Sequence, residues 1–265
     1  MTIAKWGIRA GTALAALAMT AMAAPASAQE LSANELVARN LAARGGAEAL
    51  AAIKTLRFKG SLRFPGDFLL SYVETRGRKG PGGDDAVRVD ATLQGLTVVQ
   101  AYDGKSGWTI NPFQGRRDPE TMSADEARAL ADSGRIDGVL LASRASGATV
   151  TALGREDFDG TDAYKLKVTE KDGDSFVYLL DPGTFLEIAV TETRRIRGAE
   201  TVTEAEFGDY EKVAGVYFPM ALENGPKGAS QRSRITIDTA EANVDVPTDF
   251  FVAPAAPAAP KPAAK

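Results

Sequence analysis

From Thr55 onward the chain alternates between apolar and polar side chains. Leu56, Phe58, Leu62 and Phe64 share one parity, and Thr55, Arg57, Lys59, Ser61 and Arg63 share the other. A period of two is that of a half-buried antiparallel strand. Similar runs recur at 67–76, 86–93, 95–102, 106–111, 148–157, 162–171, 174–181, 184–196, 199–211, 215–223 and 231–240. Turn-forming pairs separate many of them, among them Asp103-Gly104, Asp172-Gly173, Arg197-Gly198, Ala214-Gly215 and Asn224-Gly225. Short consecutive hairpins predict an antiparallel meander rather than a parallel βαβ sheet. Helical spacing breaks in twice. Ser32-Ala33-Asn34-Glu35 is a capping box, followed by Leu36, Val37, Asn40 and Leu41, with Gly45-Gly46 as the stop and a short second helix through Ala49, Leu50 and Ile53. Ser123-Ala124-Asp125-Glu126 is a second capping box, predicting a helix to about Asp132 and then an apolar patch, Val139-Leu140-Leu141.

A meander of about eleven or twelve strands is too wide to stay flat, so it is expected to curl into a barrel or half-barrel. Above about eight strands the interior outgrows its own side chains. Helices or a ligand must fill it. The insertion between the fifth and sixth strands has an apolar side to bury, and the concave face is the available place. The candidate inward side chains are Phe58, Leu62, Phe64, Phe68, Leu70, Tyr72, Trp108, Phe176, Tyr178, Phe185 and Phe218, with Leu140 from the insertion. One at a time, such residues are ordinarily plain core. Together with the strand count and the helical cover they predict an apolar cavity.

Composition narrows the chemistry. The 265 residues include no His and no Cys. A Ser-His-Asp or Cys-His catalyst, a His-ligated zinc and a disulfide are therefore excluded. There are 31 Lys and Arg against 35 Asp and Glu, a net charge of −4 that argues against nucleic acid as a partner. Residues 1–28 read as a secretory signal peptide, with Lys5 and Arg9 before an apolar run and Ala26-Ser27-Ala28 as the cleavage site. Cleavage after Ala28 leaves a soluble periplasmic or secreted chain. Residues 253–265 are Pro/Ala-rich and are expected to be a disordered tail. The folded domain is then 29–252.

Several segments carry a finer resemblance. They include Ala43-Arg44-Gly45-Gly46-Ala47-Glu48-Ala49-Leu50, Ile53-Lys54-Thr55-Leu56-Arg57-Phe58-Lys59-Gly60, and Gln100-Ala101-Tyr102-Asp103-Gly104-Lys105-Ser106-Gly107-Trp108 with Asn111-Pro112-Phe113. Gly160-Thr161-Asp162-Ala163-Tyr164-Lys165-Leu166-Lys167-Val168, then Gly208-Asp209-Tyr210 with Gly215-Val216-Tyr217-Phe218-Pro219, and Asn243-Val244 before Phe250 complete the series. In this order they resemble the periplasmic outer-membrane lipoprotein-sorting proteins of LolA/LolB-like fold. The resemblance implies a mainly β fold with helices, an unclosed antiparallel barrel of about 11 strands whose concave face the helices cover. It implies a carrier, not an enzyme, that holds the acyl chains of a lipid or lipidated protein and moves them toward the outer membrane. No cofactor or metal is implied. Inner- and outer-membrane transport proteins are the implied partners, and a monomer is expected.

Other readings are weaker. Asp84-Asp85, Glu204 with Glu206, and Asp209 with Glu211 are carboxylate pairs, but a glycosidase needs two acids facing each other across a cleft. Glu200, Glu204 and Glu206 are expected to form cross-strand ion pairs with Arg194, Arg195 and Arg197. Asp157-Phe158-Asp159-Gly160-Thr161-Asp162 reads as a hairpin turn rather than a calcium loop, and 77–83 as a loop between strands. The alternative function is an envelope sensor of the same fold that binds lipid and signals to a protein partner, with the tail as its contact. The lack of a second domain or membrane anchor in the sequence favours the carrier.

Overall fold

A computed structural model describes residues 30–78, 84–247 and 249–255. The expected signal peptide, the segment 79–83 and the tail from 256 lie outside the described residues. The compact unit that begins at Leu31 holds every element. In chain order these are α1 (Ala33–Arg44), α2 (Ala47–Ala52), β1 (Thr55–Phe64), β2 (Phe68–Arg78), β3 (Asp85–Leu93), β4 (Leu96–Tyr102) and β5 (Gly107–Asn111). A 3-10 turn at Pro112–Gln114 leads to β6 (Arg116–Thr121), α3 (Ala124–Ser133) and α4 (Gly138–Ser146). The rest is β7 (Thr149–Phe158), β8 (Thr161–Thr169), β9 (Ser175–Leu180), β10 (Glu187–Ile196), β11 (Ala199–Val213), β12 (Val216–Pro226) and β13 (Ser233–Ala242).

All strands join one antiparallel sheet in the order β6-β5-β4-β3-β2-β1-β13-β12-β11-β10-β9-β8-β7. The first and last strands pair in the middle, with Leu62 opposite Ile235 and Phe58 opposite Ala240. Two meanders, β1–β6 and β7–β13, are thereby welded into a 13-stranded sheet whose edges, β6 and β7, do not meet. The barrel is open. Thirteen strands replace the expected eleven or twelve because β6, Arg116-Arg117-Asp118-Pro119-Glu120-Thr121, has no apolar alternation to reveal it. It is an edge strand that buries little, and an edge tolerates both charge and proline. The patch around Leu140 is a helix of its own, α4, rather than the end of α3.

Both capping boxes form as their spacing predicts. The Ser32 and Ser123 hydroxyls accept from the Glu35 and Glu126 amides, and each glutamate reaches back to its serine. These serine hydrogen bonds hold the Glu35 and Glu126 carboxyls below the usual range. The helices cover the concave face. Leu36 and Val37 of α1, Leu50 of α2, and Val139, Leu140 and Leu141 of α4 form one core with Phe58, Leu166, Phe176, Leu180 and Phe218 of the sheet. The α1 stop docks on the β11–β12 turn. Gly45 has φ 122°, and a methyl group added there would lie 2.3 Å from the Gly215 carbonyl oxygen.

Past β13 the chain runs along the convex face. Its amide at Asn243 donates to the Thr55 carbonyl, and Thr55 Oγ1 donates to the Val244 carbonyl. Phe251 is buried against Gly77, and the Arg57 and Arg88 guanidiniums lie over the Phe250 ring. Trp108 Nε1 donates to the Phe251 carbonyl at 2.8 Å. This corrects the inward assignment of Trp108. Its cross-strand partner is Ala101, and it clusters with Val99 and Ile110 on the face opposite the helices.

Gly45 and Gly46 both adopt positive φ, but only Gly45 has a neighbour against it. Gly46→Ala should cost about 1–3 kcal/mol, because φ 89° with ψ 165° is a conformation that essentially only glycine adopts. Gly45→Ala should cost roughly 1–3 kcal/mol more, because the added carbon meets backbone that cannot swing away. Urea unfolding of the two variants measures the difference.

Candidate functional site

The chain must travel from the β6 edge to the β7 edge, and α3 and α4 make that crossing over the concave face. Between this connector and the sheet lies a cavity of about 480 Å³. Ligand sites typically span about 300–1,000 Å³. Its floor is Phe58, Leu62, Phe64, Ile235, Ile237, Phe207, Phe218 and Leu222, and its roof is Leu130, Ile136, Val139 and Leu140. The alternation of the strands places the floor: Leu62 and Ile235 are cross-strand partners, as are Leu222 and Ile235 on the next pair.

Of the side chains expected inside, Phe58, Leu62, Phe64, Tyr72, Leu140, Tyr178 and Phe218 line this cavity. Leu70 is buried with Leu62, Tyr72 and Ala91, beside the cavity rather than on it. Phe176 is sealed in the main core beneath the Arg194 guanidinium, 4.7 Å from its ring centre. Phe185 packs against Tyr164. Phe68 is 58% exposed at the tip of the β1–β2 hairpin. Its parity is right, but the strand has run past the end of the floor.

The sequence reading missed the opposite wall, which is polar. Arg44, Glu74, Arg76, Asp132, Arg135, Glu187, Glu192 and Arg194 face the cavity together with Tyr178 and Tyr210. Glu74 and Arg76 share parity with Leu70 and Tyr72 on β2, and Glu192 and Arg194 share parity with Val190 on β10, so period two carried the signal. Arg76 donates to Glu74 and to the Arg135 carbonyl, and the Tyr72 hydroxyl donates to Glu74. Arg44 lies 3.5 Å from Glu187, whose carbonyl accepts from Tyr210 at 2.8 Å. Burial raises the pKa of Tyr72, Tyr178 and Tyr210, and neighbouring carboxylates raise it further, so all three stay protonated.

The connector is pinned at one point above all. Arg194 of β10 meets Asp132 of α3 at 2.7 Å, Asp174 at 2.9 Å and Glu192 at 3.1 Å. Asp132 also meets Arg135 at 2.6 Å, and Arg135 reaches Glu170 at 3.1 Å. Burial works against the Arg194 charge, but Glu192 and Asp132 more than offset it and raise its pKa. Two further contacts hold the connector between its helices: Asp137 pairs with Arg78, and the Ile136 amide donates to Asp85. This also overturns the expected pairing of Arg194 with the β11 glutamates. Arg194 points inward, whereas Glu204 and Glu206 point outward and pair with Arg232.

At the cavity's open end, Phe64 lines the interior and is 41% exposed. Antiparallel alternation puts the β1–β2 tip, the β3–β4 turn and the β5–β6 turn at the same end of their strands. Phe64, Phe68, Leu69, Leu96 and Phe113 stand exposed there. These are five of the seven exposed large hydrophobic residues among those described, so the exposed apolar side chains concentrate at this end of the sheet, Leu69 on the face opposite Phe68.

No family model matches the chain, and no curated protein matches it. Solved structures do. A DUF1329 family protein from Desulfovibrio piger superposes with a TM-score of 0.59 at 12% identity, over 83% of this chain and 96% of that one. A putative outer membrane lipoprotein-sorting protein domain from Vibrio parahaemolyticus gives 0.56 at 12% identity, over 81% and 94%. A LolA superfamily protein from Nitrosomonas europaea gives 0.53 at 13% identity, over 84% and 98%. The chain has the LolA-like fold. At such identities the likeness is one of architecture. The open sheet and the helices on its concave face are what it rests on.

Removing one member of a buried ion cluster leaves its partners uncompensated. Arg194→Met takes the shared cation from Asp132, Asp174 and Glu192 at once, leaving Asp132 with Arg135 and Asp174 with Arg128 at 3.5 Å, and should cost about 3–5 kcal/mol. Asp132→Asn leaves Arg194 with two carboxylates and Arg135 with Glu170, so it should cost less than half as much. Urea denaturation of the two variants at neutral pH compares them.

Proposed function

We propose that the protein is a carrier of the cell envelope that shelters the acyl part of a lipid or lipidated protein and releases it at a membrane. The observation that carries this reading is the cavity of about 480 Å³ under a helical connector, opening at an apolar rim. The secretory pattern of residues 1–28 supports a periplasmic setting. The shared fold with a putative lipoprotein-sorting domain supports the ligand class. The side chains that would hold the chain are Phe58, Leu62, Phe64, Leu140 and Phe218.

The energetics suit a shuttle. Each buried methylene contributes about 0.8 kcal/mol relative to water, so a ~16-carbon chain gains on the order of 12 kcal/mol gross. A bilayer offers nearly the same. Exchange between membrane and cavity is then close to balanced, and small differences in affinity set its direction. The rim fits the loading step, since exposed aromatic and leucine side chains meet the acyl boundary without a desolvation penalty.

Mass spectrometry of organic extracts from protein purified out of its native periplasm should find lipid at close to one equivalent. Protein free of lipid would sink the proposal. In displacement of a neutral fluorescent acyl glycerol, Leu62→Asp should weaken binding more than tenfold and Lys59→Ala should leave it unchanged. Circular dichroism on both variants separates lost binding from lost fold. For the rim, Phe68→Ser with Leu69→Ser should slow lipid transfer between vesicles at least threefold while equilibrium binding of the same acyl glycerol stays within twofold. Equal transfer rates would remove the rim from the mechanism.

A further inference from the structure

The polar wall restricts what the cavity accepts, and this inference rests on the carrier reading. A pure hydrocarbon interior needs no such wall. Here Tyr178, Glu192, Arg194, Glu187 and Tyr210 face the same space as Phe58 and Leu62. Every guanidinium of the wall is already held by carboxylates. Arg44 is held by Glu187, Arg76 by Glu74, Arg135 by Asp132 and Glu170, and Arg194 by Asp132, Asp174 and Glu192. Arg128 joins through Asp174 at 3.5 Å and brings in Asp125 and Asp172. In that connected cluster three guanidiniums face six carboxylates: Asp125, Asp132, Glu170, Asp172, Asp174 and Glu192. Only Asp132 and Glu192 of these line the cavity, where Glu74, Asp132, Glu187 and Glu192 balance Arg44, Arg76, Arg135 and Arg194. Among the described residues of the wall no cation is left unpaired to receive an anionic headgroup, and the surplus carboxylates stand behind it and disfavour an anion further.

One wall group is different. Tyr178 is 7% exposed and lines the cavity, and its hydroxyl has no hydrogen-bond partner among the described residues, unlike those of Tyr72 and Tyr210. Its ring is fixed by Phe176, with which it stacks at 6.4 Å between centres. A neutral phenol donates to a carbonyl oxygen at little cost, whereas an anion brought to the same hydroxyl would have to sit beside Glu192 and Glu187.

We propose that the cavity takes the uncharged polar group of an amphiphile, an ester or amide carbonyl, at the Tyr178 hydroxyl, and excludes amphiphiles whose polar group is a carboxylate or phosphate. The ligand class is thus acyl ester or acyl amide, with any charged headgroup left outside the rim. Burial and the nearby Glu192 and Glu187 raise the Tyr178 pKa, which keeps the donor proton in place.

The test uses three amphiphiles of one chain length below their micelle concentrations: dodecanoyl glycerol, dodecanoate and dodecyltrimethylammonium. Calorimetric or displacement affinities at pH 8 should rank the glycerol ester at least tenfold above the carboxylate, with the ammonium amphiphile also above the carboxylate. Tyr178→Phe should weaken the ester about fivefold, the worth of one hydrogen bond, and leave the ammonium amphiphile within twofold. Glu192→Gln should narrow the gap between ester and carboxylate at least threefold. Dodecanoate binding as well as the ester would overturn the inference and leave the carrier standing. Both charged amphiphiles binding equally poorly would overturn the role of charge sign. An ester affinity untouched by Tyr178→Phe would remove the tyrosine from it. Failure of all three amphiphiles to bind, by protein with native circular dichroism, would overturn the carrier reading and the selectivity with it.

Discussion

An antiparallel sheet whose first and last strands pair in its interior has to be crossed by its own chain. Here β1 and β13 pair in the middle, so the link between the two meanders must run from one outer edge to the other. That link is α3 and α4. Its path over the concave face creates the cavity, supplies the cavity's roof and brings Asp132 and Arg135 to the inner wall. The Arg194–Asp132–Asp174 junction fixes where the link lands. Buried ion pairs contribute little net stability compared with well-packed apolar groups. Their weight here is geometric: an uncompensated Arg194 or Asp132 would be costly, so the connector has one favourable docking position.

The two faces of the sheet divide the work. The concave face is greasy under α1, α2 and α4, where it forms the main core, and two-sided under the connector, where an apolar floor faces a charged wall. The convex face carries smaller clusters, one of them roofed by the segment after β13 through Phe250, Phe251 and Trp108. That segment braces the first meander from outside. The open end of the cavity is bounded by the tips of the same meander, at the ends of its strands away from the brace at Thr55, Gly77, Arg88 and Trp108.

Much of the architecture was legible. Alternation and turn residues marked twelve of the thirteen strands, and Ser32 and Ser123 marked the helix starts. The missing strand, β6, buries too little to leave a pattern. Seven of the side chains expected inside do reach the cavity, because parity along a strand is reliable. Trp108 and Phe68 do not, each for its own reason. Trp108 lies beyond the Asp103–Ser106 turn, and the number of residues in that turn, not the alternation around Trp108, decides which face it takes. Phe68 keeps its parity but sits at a tip beyond the floor.

By itself the sequence determined the meander, the two capped helix starts and the apolar side of most strands, because period, capping and turn chemistry act over a few residues. Tertiary structure alone decided the pairing of β1 with β13, the crossing of the connector and the counter-charges that Glu74, Arg76, Glu192 and Arg194 meet at their inward positions. The first of these depends on register between segments far apart in the chain, which the irregularity at Lys59/Gly60 resets. A charged residue at an inward parity looks like a solvated one until the strand opposite supplies its counter-charge.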